Sequence, residues 1–369
     1  KAVTSRRLLK GLDKTLLFSV LGICAMSLTF ILSTTWGDSG AVSGFYFIKQ
    51  LCWIILGLAL MLFLSHSSYS LWVEISYKLY VGMLIILAVL LFSSYLGLGK
   101  MRWFKFGIFS FQPSEITKIV VVLALVRYMT DKKGKVRVWE GIVISLLLVA
   151  APMLLIIKQP DLGTALLLVP ITFCMLYSVG TRLKYFATVA VVVLAFTPLF
   201  WGGLKDYQKE RITSFLAPSA DPQGANYSMR QSQIAIGSGG AFGRGVFKGT
   251  QGQLNFVPEQ HTDFIFSVIG EETGFAGSFI LIFIYSLIVL EGMKIAANAG
   301  DMTGKLLAVG IVSMFSFQVI ANLGMTLGIL PVVGLPLPFI SYGGSSMLLN
   351  MICMGMLMKV HVSRQKFTG

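Results

Sequence analysis

The chain has 369 residues, 55% hydrophobic and only 12% charged, with a mean hydropathy of +0.79. So little charge excludes a soluble domain of this size, and apolar runs near twenty residues exclude the short alternating strands of an outer-membrane barrel. The formal net charge of +14 would suggest nucleic acid in a soluble protein; here it sits largely in loops and tails, where it reports topology, and no nucleic-acid partner is expected.

The N-terminal KAVTSRRLLKGLDK places positive charge before an apolar run, as a signal peptide does. No small-residue cleavage site follows, so the run reads as the first transmembrane helix. Ten spans are expected, at residues 14–35, 46–64, 71–96, 113–129, 138–157, 162–179, 183–202, 263–291, 304–330 and 340–359. They read as one all-α bundle, a single polytopic domain over 1–369 with one long loop, 203–262, between spans seven and eight. An even number of spans puts both termini on one side. Lys and Arg concentrate beside the loops of that side, and six of those opposite fall in the long loop, where they count for little, so both termini are expected to be cytoplasmic and the long loop extracytoplasmic. Cys24, Cys52, Cys174 and Cys353 lie inside apolar runs without paired spacing, which predicts buried, inert thiols.

Polar clusters gather on the outer side of this topology. In MRWFKFGIFSFQPSEITK (101–118), Arg102 belongs to an aromatic and basic interfacial stretch, and Pro113 opens span four. Glu115 and Lys118 then share one helix face at i and i+3. That pair is either a structural salt bridge or part of an outward-opening cavity. Asp161 in KQPDLG stands where it would cap the following helix. Within the long loop, 204–216 alternates apolar residues with Lys205, Lys209 and Arg211 as an interfacial helix does. GSGGAFGRG (237–245) carries five glycines; a flexible turn and a phosphate-cradling nest of amides, with Gly237, Gly239 and Gly240 as candidates, both fit it.

The stretch Gly249 to Gly274 concentrates the problem. Glu259, His261, Asp263, Glu271 and Glu272 ride a polar segment into an apolar run, where an ionisable group is a functional-site candidate. The helix dipole would also favour Asp263 in a first turn, a purely structural alternative. His66 and His361 fall on the other side of the membrane, so a histidine triad or metal centre is not expected.

QPSEITK (112–118), QPDLGT (159–164), IAIGSGGAFGRG (234–245), GTQGQLNFVPEQHTDFIFSVIGEE (249–272) and GILPVVGLPLPFISYGGSS (328–346) together resemble the SEDS family of bacterial shape, elongation, division and sporulation proteins. The wording of GTQGQLNF and PEQHTDFIF is closer to its cell-elongation member than to its division member. The resemblance implies a ten-span peptidoglycan glycosyltransferase of the bacterial cytoplasmic membrane that polymerises lipid II on its outer side. The implied partners are a class B penicillin-binding protein (a transpeptidase) and other elongation-complex membrane proteins, alongside lipid II and membrane lipids. The family's essential acidic residue falls on Asp263, its carboxylate and lysine on Glu115 and Lys118, and its R-W arginine on Arg102.

Converting an α-linked donor MurNAc to a β-1,4 link is an inverting displacement, which needs a base on the acceptor side. Asp263 is the candidate. The leaving pyrophosphate needs charge stabilisation rather than an acid, for which Arg102, Lys118, Arg211 and the 237–240 amides are candidates. Magnesium or manganese could share that work, although the sequence shows no dedicated ligand set. A lipid flippase or transporter, and a non-catalytic scaffold of the cell-wall complex, are the competing readings; the absence of an inverted repeat argues against the first.

Overall fold

The computed structural model describes residues 12–35, 40–96, 102–106, 109–131, 138–203, 206–216, 226–254 and 256–365. Helices dominate: α1 (Lys14–Thr34), α2 (Gly40–His66), α3 (Tyr69–Glu74), α4 (Ser76–Tyr95), α5 (Pro113–Asp131), α6 (Val138–Lys158), α7 (Leu162–Ser178), α8 (Leu183–Gly203), α9 (Asp206–Leu216), α10 (Tyr227–Ser238), α11 (Thr250–Gln253), α12 (Ile265–Ala297), α13 (Met302–Thr326) and α14 (Gly344–Gln365). The one departure from the all-α expectation among the described residues is a small antiparallel hairpin, β1 (Phe104–Phe106) with β2 (Phe109–Phe111), in the aromatic stretch before α5.

Nine of the ten expected spans coincide with one helix each, and the expected span 71–96 is divided at Ile75 into α3 and the membrane-length α4. Seven are long and apolar enough to cross a membrane, and α7 and the Leu183–Val192 part of α8 are shorter apolar helices. The tenth is α5, whose Glu115, Lys118, Arg127 and Asp131 make it too charged to qualify on composition. Glu115 and Lys118, in its first two turns, are instead buried, while Arg127 and Asp131 at its far end reach the surface: α5 is enclosed along much of its length by α4, α6, α7, α13 and α14. The protein is therefore a multi-pass membrane protein. Large apolar residues such as Phe18, Phe63, Phe92 and Val191 face outward, where lipid would cover them.

Small residues let the central helices approach. Along the α2–α14 contact, a methyl group at Gly355 would lie 2.6 Å from the carbonyl oxygen of Met61, and one at Gly57 only 2.7 Å from Met351. At one end of the bundle, Asp13, which caps α1, lies 4.0 Å from His361 near the end of α14. The two terminal helices thus end side by side, as an even number of crossings requires. Tyr69 and the α13 cap Asp301 meet at 2.6 Å. Of the cysteines, Cys24 and Cys353 are buried as expected and Cys174 is intermediate, but Cys52 is exposed, on the face α2 turns away from the bundle.

At the opposite end the chain departs from simple helices. The 331–343 segment between α13 and α14 is irregular rather than the start of a span. It folds back over the bundle, where it meets the residues that precede α12.

Candidate functional site

Asp263 sits in a turn that is fastened from three sides. Glu259 adopts a left-handed φ of 51°, which lets its carbonyl accept from the amides of Thr262 (3.1 Å) and Phe264 (3.3 Å). The Ser341 hydroxyl donates to the Thr262 carbonyl (2.5 Å), the Tyr342 amide to that of His261 (2.9 Å), and the Gln260 side chain to Thr34 of α1 (3.2 Å). From below, the side-chain amide of Asn322 on α13 donates both to the Asp263 carbonyl (2.8 Å) and to the Leu335 carbonyl (2.6 Å). The backbone is held; the carboxylate is not. Among the described residues no hydrogen bond or ion pair engages it, and Oδ2 lies 3.3 Å from where a methyl group on Gly334 would be. Asp263 also precedes Phe264, the N-cap of α12, which has no side-chain cap bond, so the carboxylate does not cap this helix.

Burial pushes the Asp263 carboxyl up from 3.8 to about 6, helped by the negative charges of Glu259, Asp161 and Glu115, while Arg211 opposes the shift. These groups come from the loop, from the start of α7, from α5 and from α9. The fold thus gathers Asp263, Asp161, Glu115 and Arg211 around one half-buried position, with half-exposed Arg211 supplying positive charge.

The remaining predicted residues fall into two kinds. On α5, Lys118 is fully enclosed; its ammonium donates to Glu115 (2.9 Å) and to Gln318 of α13 (2.8 Å), and Gln318 in turn donates to the Pro336 carbonyl (2.9 Å). Contact with a phosphate would require this lysine to abandon both partners, so the ion pair is a tie between α5, α13 and the 331–343 segment. Asp161 does cap α7, accepting from the Thr164 amide (3.2 Å), and also accepts from Ser114 (2.8 Å) and Gln112 (3.2 Å). Arg102 reaches the same turn through the Pro160 carbonyl (2.9 Å). Gly163 brings this turn against the irregular segment: a methyl group there would lie 2.5 Å from the Val333 carbonyl oxygen.

The glycine run does something else. α12 is broken at Gly274 (φ 66°, ψ −158°), and residues 240–245 are stitched into the break. The amides of Arg244 and Gly245 donate to the carbonyls of Glu271 and Glu272 (both 3.0 Å), while those of Phe275 and Ala276 donate to Gly240 (2.9 Å) and Ala241 (3.0 Å). Methyl groups at Gly239 and Gly243 would strike the carbonyls of Gly270 and Glu272, at 2.0 and 2.1 Å. Glycine is needed here for close approach. Gly239 and Gly240 therefore lie against the helix break, about two helical turns along α12 from Asp263, while Gly237 stays on α10 with open space where a side chain would be; among the described residues the close approach made by this run is to α12. Glu271 and Glu272 belong to the same joint. Glu271 accepts from the amides of Thr250 (2.6 Å), Gln251 (2.9 Å) and Gly252 (3.2 Å), capping α11, and Glu272 accepts from the Ser33 hydroxyl of α1.

Gln318 and Asn322 belong to none of the motifs above, and Gly334 and Ser341 lie in the 328–346 motif with nothing local to assign them a role. Only the i, i+4 spacing of Gln318 and Asn322 within an apolar span hinted at a shared polar face.

Fold and site together define a multi-pass membrane protein with a carboxylate-centred polar site at the bundle end opposite Asp13 and His361. A family model described as FTSW_RODA_SPOVE, cell cycle protein, matches residues 14–366. The chain is 38% identical over 355 residues to the peptidoglycan glycosyltransferase MrdB of Escherichia coli K12, covering 96% of this chain and 94% of the relative. It is 33% identical to the peptidoglycan glycosyltransferase RodA of Treponema pallidum, covering 95% and 97%. Among solved structures, a chain of a peptidoglycan synthase complex that coordinates polymerization and crosslinking superposes with a TM-score of 0.80 at 31% identity, over 96% of this chain and 98% of that one. The rod-shape-determining protein RodA of Thermus thermophilus gives 0.68 at 28%, over 96% and 97%. The chain belongs to the FtsW/RodA/SpoVE family.

Proposed function

We propose that this protein is a peptidoglycan glycosyltransferase supporting cell elongation and rod shape. It polymerises lipid II into β-1,4-linked glycan strands, with inversion at the donor MurNAc anomeric carbon and release of undecaprenyl pyrophosphate. The observation that carries the reading is Asp263: a half-buried carboxyl on a firmly held backbone, with no side-chain bond among the described residues and raised to about 6. A base in that state is ionised at neutral pH yet retains enough proton affinity to draw the proton from the acceptor 4-hydroxyl as the glycosidic bond forms. Arg211 supplies charge for the departing pyrophosphate, and Arg102, with the donors it does not spend on Pro160, lies beside the same turn as Asp161. Among the described residues no group of three or more His, Cys, Asp or Glu side chains is disposed to hold a metal. A magnesium or manganese ion taking part would depend mainly on the pyrophosphate oxygens for its ligands.

Two apolar cavities, about 610 and 240 Å³, share Phe317 in their walls and lie along α7 and α13. The smaller is lined by Gly163, Val333 and Leu335, beside the polar site, which suits the polyprenyl tail of the substrate. We place both termini in the cytoplasm and the site on the extracytoplasmic side of the bacterial inner membrane. The partner is a class B penicillin-binding protein, a reading supported by the synthase complex in which the structural relative was solved.

The test is direct. Purified protein with its transpeptidase partner is given lipid II in detergent, and glycan strands are resolved on a gel. Polymer is expected from the native protein and none from Asp263→Ala of equal yield. Normal polymer from the variant would overturn the assignment of the base. Lipid translocation in vesicles without polymer would favour the flippase.

A further inference from the structure

Asn322 is the residue whose use the reaction leaves unexplained. It is fully buried in α13, a position where an amide side chain is costly unless it is spent on hydrogen bonds. Its two bonds go to two carbonyl oxygens from segments far apart in sequence, Asp263 before α12 and Leu335 before α14. Because both partners only accept, the nitrogen must face them, and Oδ1 is turned away, without a partner among the described residues. An amide carried here only to fill space would be costly, so its use lies in the two carbonyls that it joins. One helical turn earlier, Gln318 bonds the next carbonyl of the same segment, Pro336, and is itself held by Lys118. The result is a clasp. Gly334, against which the Asp263 carboxylate rests, is the residue just before clasped Leu335.

We infer that Asn322 is a positioning residue for the reaction: its amide locks the Asp263 peptide to the Leu335 peptide, fixing the carboxylate over Gly334 at the distance the acceptor hydroxyl requires. This rests on Asp263 acting as the base. Without the shared donor, two carbonyl dipoles would face each other across an apolar gap and the two segments would separate. A displacement of about 1 Å at a reacting group can cost on the order of a hundredfold in rate. Asp263 is faced by Glu259 from its own loop, Asp161 from α7, Glu115 from α5 and Arg211 from α9. Separation would alter its exposure to all four and to water.

The experiment compares the native protein with Asn322→Leu, which keeps the branched shape and removes the donors, and with the smaller Asn322→Ala. Lipid II polymerisation is followed against substrate concentration and pH, and hydrogen exchange is read on peptides covering 258–264 and 333–337. We expect both variants to lose about tenfold to a hundredfold in kcat with KM within about twofold, the pH midpoint to move down toward that of an ordinary carboxylate, and exchange to rise in both peptides together. Native kcat and midpoint in a folded Asn322→Leu protein would overturn the inference. So would unchanged exchange in the two peptides, which needs no activity to be measured. Absence of polymer from the native protein would instead count against the proposed function, and with it against a positioning role in that reaction.

Discussion

Lys118 and Asp263 lie at the same end of the bundle and are handled in opposite ways. The lysine is enclosed, ion-paired to Glu115 and hydrogen-bonded to Gln318, so its charge is consumed in joining α5 to α13. The aspartate has its backbone clamped and its carboxylate left alone, with Asp161, Glu115, Glu259 and Arg211 near enough to act on it only through their fields. The difference teaches where chemistry can occur: a saturated charge is a structural tie, and an unsaturated one on a rigid backbone is available to a substrate.

The largest effect expected from this contrast is at Asp263. Replacing it with asparagine should lower polymerisation by about a thousandfold or more while thermal unfolding in detergent is unimpaired, within the range usual for a general base. At Lys118 the order reverses. Lys118→Met should cost about 3–5 kcal/mol of stability because it strands a buried carboxylate, whereas Glu115→Gln with Lys118→Met should recover most of that loss, as read by unfolding temperature. A stable double variant without activity would break the contrast, since Lys118 would then be more than a tie. Glu271→Ala removes the acceptor of three amides and should destabilise the 249–254 segment by about 2 kcal/mol. Faster hydrogen exchange confined to that segment and to 240–245 would confirm it. Arg211→Ala should lower the rate, since it withdraws charge from the departing pyrophosphate, and the smallest effect is its second one: because that charge holds the Asp263 carboxyl down, the pH midpoint of the residual reaction should rise above about 6 by a fraction of a unit.

The same shift has a consequence for stability. Because folding raises the Asp263 carboxyl from 3.8 to about 6, its protonated form favours the native state; that contribution is complete below about 4 and is lost as the pH rises through about 6. For a half-exposed group the loss is on the order of 1 kcal/mol. Asp263→Asn should therefore show less decline in unfolding temperature between pH 4 and pH 8 than the native protein.

Local signals in the sequence carried over well. Asp161 stands one residue before an apolar run and caps it, and the i, i+3 spacing of Glu115 and Lys118 does bring them together. Both partners in each case lie on one helix, so spacing alone could reveal them. Asn322 and Gln318 bond carbonyls in segments up to 59 residues away, and a carbonyl belongs to every residue, so no side-chain pattern announces the partner. The glycine run shows the same limit. Its composition called for close backbone approach, but whether a phosphate or the broken α12 makes that approach depends on tertiary structure.

The central claim, that the isolated carboxylate of Asp263 is the base, is tested most directly by the pH dependence of lipid II polymerisation. The rate is expected to climb through a midpoint near 6 in the native protein and to lose that limb, along with almost all activity, in Asp263→Asn. A native-like rate from Asp263→Asn, or the same limb surviving in that variant, would contradict it.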